Sequence, residues 1–151
     1  IYYGPATVNK PMTITAADPE KTIIDVVNGQ GCLTISNSNV TISNIGFRNG
    51  AASSGGGICS SASYTGIVIS NCEFRACKST FSASGGGALY GIRGLVVDCG
   101  FEGNSAANCG GAVWRTPEGA DVTLPVECRG DTAAVVLPPM GAWTCGYLAF
   151  P

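Results

Sequence analysis

Histidine is absent from this chain of 151 residues, and charged residues make up only 12% of it, about half the share a soluble domain usually carries. Each shortage narrows the function. Without histidine, the commonest general base and metal ligand is missing. No two of the eight cysteines form a C-x-x-C pair, which argues against zinc and in favour of disulfides in an oxidising compartment. The formal net charge is −2 with no run of Lys or Arg, so the chain offers no footprint for nucleic-acid phosphates. No stretch approaches the ~18 consecutive apolar residues of a transmembrane helix, and none sustains the 3.6-residue periodicity of an amphipathic one. The chain begins at Ile1 with no charged-then-apolar leader and reads as an excerpt of a longer secreted protein.

What is present is glycine, at 22 residues, together with Ser, Thr, Asn and Val, the composition of short strands and tight turns. These strands repeat. Phe47, Phe74 and Phe101 recur at a step of 27, and apolar runs beginning at Met12, Val40, Ile67, Leu95 and Val122 recur at steps of 27 or 28. Between them fall Gly55-Gly56-Gly57, Gly85-Gly86-Gly87 and Gly110-Gly111. Neither a phosphate-binding Gly-x-x-x-x-Gly-Lys nor a strand–Gly-x-Gly-x-x-Gly–helix context surrounds these glycines. They read instead as corners where chains approach closely or φ is positive.

Several short strands per period, with no helix to carry a crossover, predict an all-β parallel β-helix of about five coils of ~27 residues in a single domain over 1–151. Residues 12–124 hold the clear repeats, and 125–151 form a terminal coil or irregular cap. Val40, Ile42, Ile67 and Ile69 should face inward, and Thr41, Ser43, Val68 and Ser70 outward. Ile45, Cys72 and Cys99, each two before a phenylalanine, should stack inside, with Asn44, Asn71 and Asp98 at the preceding turn.

Phe101-Glu102-Gly103-Asn104 and Gly110-Gly111-Ala112-Val113 match F-x-x-N and G-G-A-I elements. In these motifs the chain resembles the polymorphic outer membrane protein repeats of chlamydial surface proteins and the wider pectin-lyase-like group. The resemblance, over roughly residues 40 to 115, implies a right-handed coil and an exported surface adhesin, a matrix component or a carbohydrate-active enzyme. After Phe47 the asparagine comes one place early, at Asn49, and after Phe74 none follows.

An enzyme of that group would need paired carboxylates or a metal cluster. Glu73, Asp98 and Glu102, with Arg48 and Arg75, are the only charged residues that the register gathers, and Arg75 beside Glu102 reads as an exposed ion pair. The expected function is a noncatalytic structural or adhesion module at the cell surface or in the matrix. It would need no cofactor or metal, and its partners would be other subunits or domains of an extracellular assembly, and glycans. A polysaccharide lyase or hydrolase is the alternative. A partly regular hydroxyl array at Thr13, Thr15, Thr41, Ser43, Ser70 and Thr123, interrupted by Val68, Val96 and Asp98, raises an ice-binding solenoid as a minor one. Asn39-Val40-Thr41 is a candidate glycosylation acceptor. The 27-residue spacing of Cys32 with Cys59, and of Cys72 with Cys99, predicts disulfides between neighbouring coils; Cys77 with Cys109 and Cys128 with Cys145 follow by elimination.

Overall fold

The computed structural model describes residues 1–27, 29–61, 63–80, 85–107, 111–114, 121–123, 127–129 and 135–136; for Trp114 and the three later strands the description concerns the backbone alone. Every element among them is a strand, and the strands assemble into four sheets in which all pairings are parallel. The chain is a parallel β-helix. One sheet stacks Met12–Thr15, Val40–Ser43, Ile67–Ser70, Gly94–Val97 and Asp121–Thr123, and is called here the aliphatic sheet. The next, the phenylalanine sheet, stacks Tyr2–Tyr3, Ile23–Asp25, Gly46–Arg48, Glu73–Arg75, Gly100–Glu102 and Glu127–Arg129. A short sheet holds Ala51–Ala52, Lys78–Ser79 and Ser105–Ala106. The glycine-flanked sheet holds Ala6–Val8, Leu33–Ile35, Ile58–Ser60, Leu89–Tyr90, Val113–Trp114 and Val135–Val136. Thus the described parts of 125–151 extend two of the sheets.

Strand alternation fills the interior as the pattern requires. Val40, Ile42, Ile67 and Ile69 are fully buried, with Thr41, Ser43, Val68 and Ser70 half-buried on the outside. Phe47, Phe74 and Phe101 stack face over face, with ring centroids 5.0 and 5.1 Å apart and planes within 9°. Burying each ring contributes about 1.5–3 kcal/mol, and each stacked pair about 0.5–1.5 more. Ile45, Cys72 and Cys99 form a second buried column beside them.

Turns repeat as columns too. Asn44, Asn71 and Asp98 adopt positive φ of 59°, 48° and 52°, a conformation Asn and Asp tolerate better than other side-chain-bearing residues. Asn71 Nδ2 donates to Asn44 Oδ1 at 2.6 Å, and Asn44 Nδ2 to Thr15 Oγ1 at 3.2 Å. A second left-handed column follows the phenylalanine sheet at Asn49, Ala76 and Gly103.

One register differs from the spacing. Gly94, not Leu95, lies over Ile67, so Leu95 and Val97 face outward and Val96 fills the core. The strand therefore follows its neighbour at a step of 27. A Cβ on Gly94 would fall 1.9 Å from the Ile67 carbonyl oxygen, so this close approach is open to glycine alone, and no aliphatic residue can begin the strand.

Candidate functional site

The outer face of the phenylalanine sheet carries a column of charge: Asp25, Arg48, Arg75 and Glu102 stand in register, one per coil, and the backbone of Arg129 follows in the same register. Two like charges, Arg48 and Arg75, are therefore neighbours, and acidic groups surround them. Arg75 lies 3.2 Å from Glu102 through Nε, and its Nη2 is 3.9 Å from both Glu73 and Glu20. Nε is out of line for a hydrogen bond to Glu102, so this contact is one of charge. Glu73 reaches its position because Gly100 stands over it; a Cβ there would fall 2.5 Å from the carboxylate. Asp98 lies apart, at the turn that precedes this sheet. The side chains of Arg75, Glu73, Glu102 and Glu20 are 36%, 34%, 59% and 71% exposed, and such solvated pairs are worth about 0.2–1 kcal/mol each.

Asn104 explains the F-x-x-N motif. It is fully buried; its Oδ1 accepts from the Cys77 N–H at 2.9 Å and its Nδ2 donates to the Phe74 carbonyl at 3.0 Å, one coil away. The same inward column holds Cys77 and Gly50. Asn49 belongs to a different column, the left-handed corner, and its Nδ2 donates to Asp25 Oδ1 at 2.8 Å. It is not a displaced copy of Asn104.

The five described cysteines, Cys32, Cys59, Cys72, Cys77 and Cys99, are free thiols. Cys72 and Cys99 are register neighbours, as their spacing predicts, but they do not form the disulfide expected of them; their thiols donate to the Ser70 and Val97 carbonyls, each at 3.3 Å. Cys59 does not stand over Cys32. Its register partner is Thr34, because Leu33 pairs with Ile58, and Cys32 Sγ donates instead to the Arg48 carbonyl at 3.4 Å. The expectation of a Cys32–Cys59 bridge is thereby corrected: fewer residues connect the phenylalanine sheet to Leu33 than connect it to Ile58, so the shared spacing of 27 does not reflect shared register. The neighbouring thiol holds Cys32 and Cys72 below the usual thiol range, whereas the neighbouring thiol together with burial pushes Cys77 and Cys99 well above it. Burial alone raises Cys59. Cys109 and Cys145 lie outside the described residues, and the backbone of Cys128 stands over Phe101.

Asn39 is exposed, at a turn with φ of 57°, where an acceptor amide is accessible. The hydroxyl face is shorter than the spacing suggests. Ser43 Oγ donates to Thr15 Oγ1 at 2.8 Å, but Val68, Leu95 and Val97 interrupt the columns above. Val96, expected among the interruptions, points inward. Among the described residues no three His, Cys, Asp or Glu side chains gather as metal ligands, and no helix is long and apolar enough to cross a membrane. A cavity of about 630 Å³ opens at the first coil, lined by Tyr2, Val8, Ile14, Ile24, Leu33 and Phe47.

The chain is 36% identical over 86 residues to a metabotropic glutamate receptor-like protein R of Dictyostelium discoideum. The match covers 57% of this chain and 5% of that protein, so the chain corresponds to a small part of a much longer relative. No family model and no solved structure matches it.

Proposed function

We propose that the chain is a noncatalytic extracellular module that presents a rigid columnar surface within a cell-surface or matrix assembly such as a fibre or coat. Its partners are other subunits or domains of that assembly, and glycans. One observation carries the reading: the outward side chains stand in register from coil to coil, as in the column from Asp25 to Glu102. A parallel stack spaces such groups at ~4.8 Å along its axis, which suits repetitive contact with an extended partner. The resemblance of the F-x-x-N and G-G-A-I elements to surface-protein repeats supports it. So does the match to a small part of a long receptor-like chain, which is how a repeat module is carried.

The cluster of Arg75 with Glu73, Glu102 and Glu20 favours a second reading, a polysaccharide lyase or hydrolase. Two measurements separate them. The protein incubated with polygalacturonate and neutral polysaccharides should release neither ultraviolet-absorbing unsaturated ends nor reducing ends. Antibody against the native protein should label unpermeabilised cells, with an N-glycan at Asn39. Turnover abolished by Arg75→Ala would replace the first reading by the second, and labelling seen only after permeabilisation would overturn the location.

A further inference from the structure

Asn49 and Gly50 form an Asn-Gly pair at the corner that leaves the phenylalanine sheet, and such a pair carries its own chemistry. The Gly50 nitrogen can attack the Asn49 side-chain carbonyl carbon, because glycine has no side chain to obstruct the approach. A carbon–nitrogen bond forms, ammonia leaves with the proton of the attacking amide, and a five-membered succinimide results; one water then opens either ring carbonyl to give aspartate or isoaspartate. Asn49 is exposed, so water and ammonia exchange freely. The ring nevertheless requires the Gly50 nitrogen and Asn49 Cγ to lie on the same side of the Cα–C bond, and the corner holds them apart. At φ of 58° Asn49 sits in the left-handed region, where the following nitrogen lies nearly opposite Cβ across that bond. Four hydrogen bonds fix the turn. Asn49 N–H donates to the Arg75 carbonyl at 3.1 Å, Lys78 N–H to the Gly50 carbonyl at 2.7 Å, Ala51 N–H to the Gln30 carbonyl at 2.8 Å, and Asn49 Nδ2 to Asp25 Oδ1 at 2.8 Å. Gly50 has no room to swing aside, since even a Cβ there would strike the Gly56 carbonyl.

From this geometry we propose that Asn49 is a spontaneous modification site gated by its own corner: unreactive while its coil is docked on the next, and converted to aspartate or isoaspartate once the two part. Conversion then acts as a one-way latch. Aspartate lacks the Nδ2 donor and sets a second carboxylate against that of Asp25, where like charges repel. Isoaspartate also adds a carbon to the backbone between the Asn49 N–H and the Gly50 carbonyl, the two groups that the next coil bonds through Arg75 and Lys78. Their register is lost with it. A stack held open for long therefore cannot close as before.

Asn28-Gly29 is the other Asn-Gly pair of the sequence and calibrates the reaction. The full chain is held at neutral pH, one sample native and one unfolded in guanidinium chloride, and both are then digested with pepsin in acid, where the ring closes too slowly to add to the count. Tandem mass spectrometry reads the exchange of amide for acid at each asparagine. In the unfolded sample Asn49 should convert as Asn28 does. In the native sample Asn49 should convert at least ~10-fold more slowly than in the unfolded one, since opening must precede reaction. Asn49→Asp should lower the denaturation midpoint, and adding Asp25→Asn should recover part of the loss by restoring an amide opposite a carboxylate. Equal rates at Asn49 in the two samples, no conversion at Asn49 where Asn28 converts, or an Asn49→Asp midpoint equal to that of the parent chain would overturn the proposal.

Discussion

The middle coils and the first coil follow the same pattern with different returns. Phe47 and Phe74 each lie between two in-register neighbours and are fully buried. In the first coil the equivalent column position is Tyr2, which pairs on one side only with Ile24 and remains 56% exposed, beside Ile1 at 66% and Tyr3 at 68%. In a solenoid, then, the worth of a side chain is set by how many neighbours its column supplies, and less by the residue itself.

The most direct way to break this contrast is truncation at both places. Phe74→Ala should cost about 3–5 kcal/mol, whereas Tyr2→Ala should cost about 0.5 kcal/mol, as exposed positions do. Denaturant titration of the purified chain measures both, and equal losses would contradict the neighbour argument. A polar pair sharpens it. Asn104→Leu leaves the Cys77 N–H and the Phe74 carbonyl buried without their partner and should cost about 2–3 kcal/mol. Asn37, whose Nδ2 donates to the Asn9 carbonyl at 3.1 Å in an exposed setting, can exchange that bond for water, so Asn37→Leu should cost about 0.5 kcal/mol. A third pair should show no difference between positions. Gly29 and Gly103 have φ of 70° and 64°, and a Cβ on either would touch nothing within 4 Å. Substitution by alanine should therefore cost about 1 kcal/mol at both, the local penalty of the left-handed region. Ala76, at φ 53°, already bears that penalty, and Ala76→Gly should raise the thermal midpoint.

Where the coil length is constant, the sequence was readable. Steps of 27 link Phe47, Phe74 and Phe101, which pair with one another in the structure, so the parallel stack and the Cys72–Cys99 adjacency follow from spacing. On the glycine-flanked sheet the steps vary: Leu33 pairs with Ile58, Ile58 with Leu89, and Leu89 with Val113. Loops of unequal length enter beside that sheet, which is why Cys59 was misplaced over Cys32. The charged column was partly legible: Arg75 beside Glu102 follows from register, but Glu20 comes from the turn before Ile23–Asp25 and carries no repeat signal.

The uniform direction of the strands has a mechanical consequence. Hydrogen bonds between parallel coils run along the stack axis, so tension applied between its two ends loads one interface after another and can peel the coils singly. Each coil of the regular middle region occupies ~4.8 Å of that axis but contains 27 residues, about 90 Å of extended chain. Under pull the module should therefore lengthen in a series of discrete steps, a sawtooth that single-molecule stretching would resolve; one all-or-none rupture would show that the coils yield together.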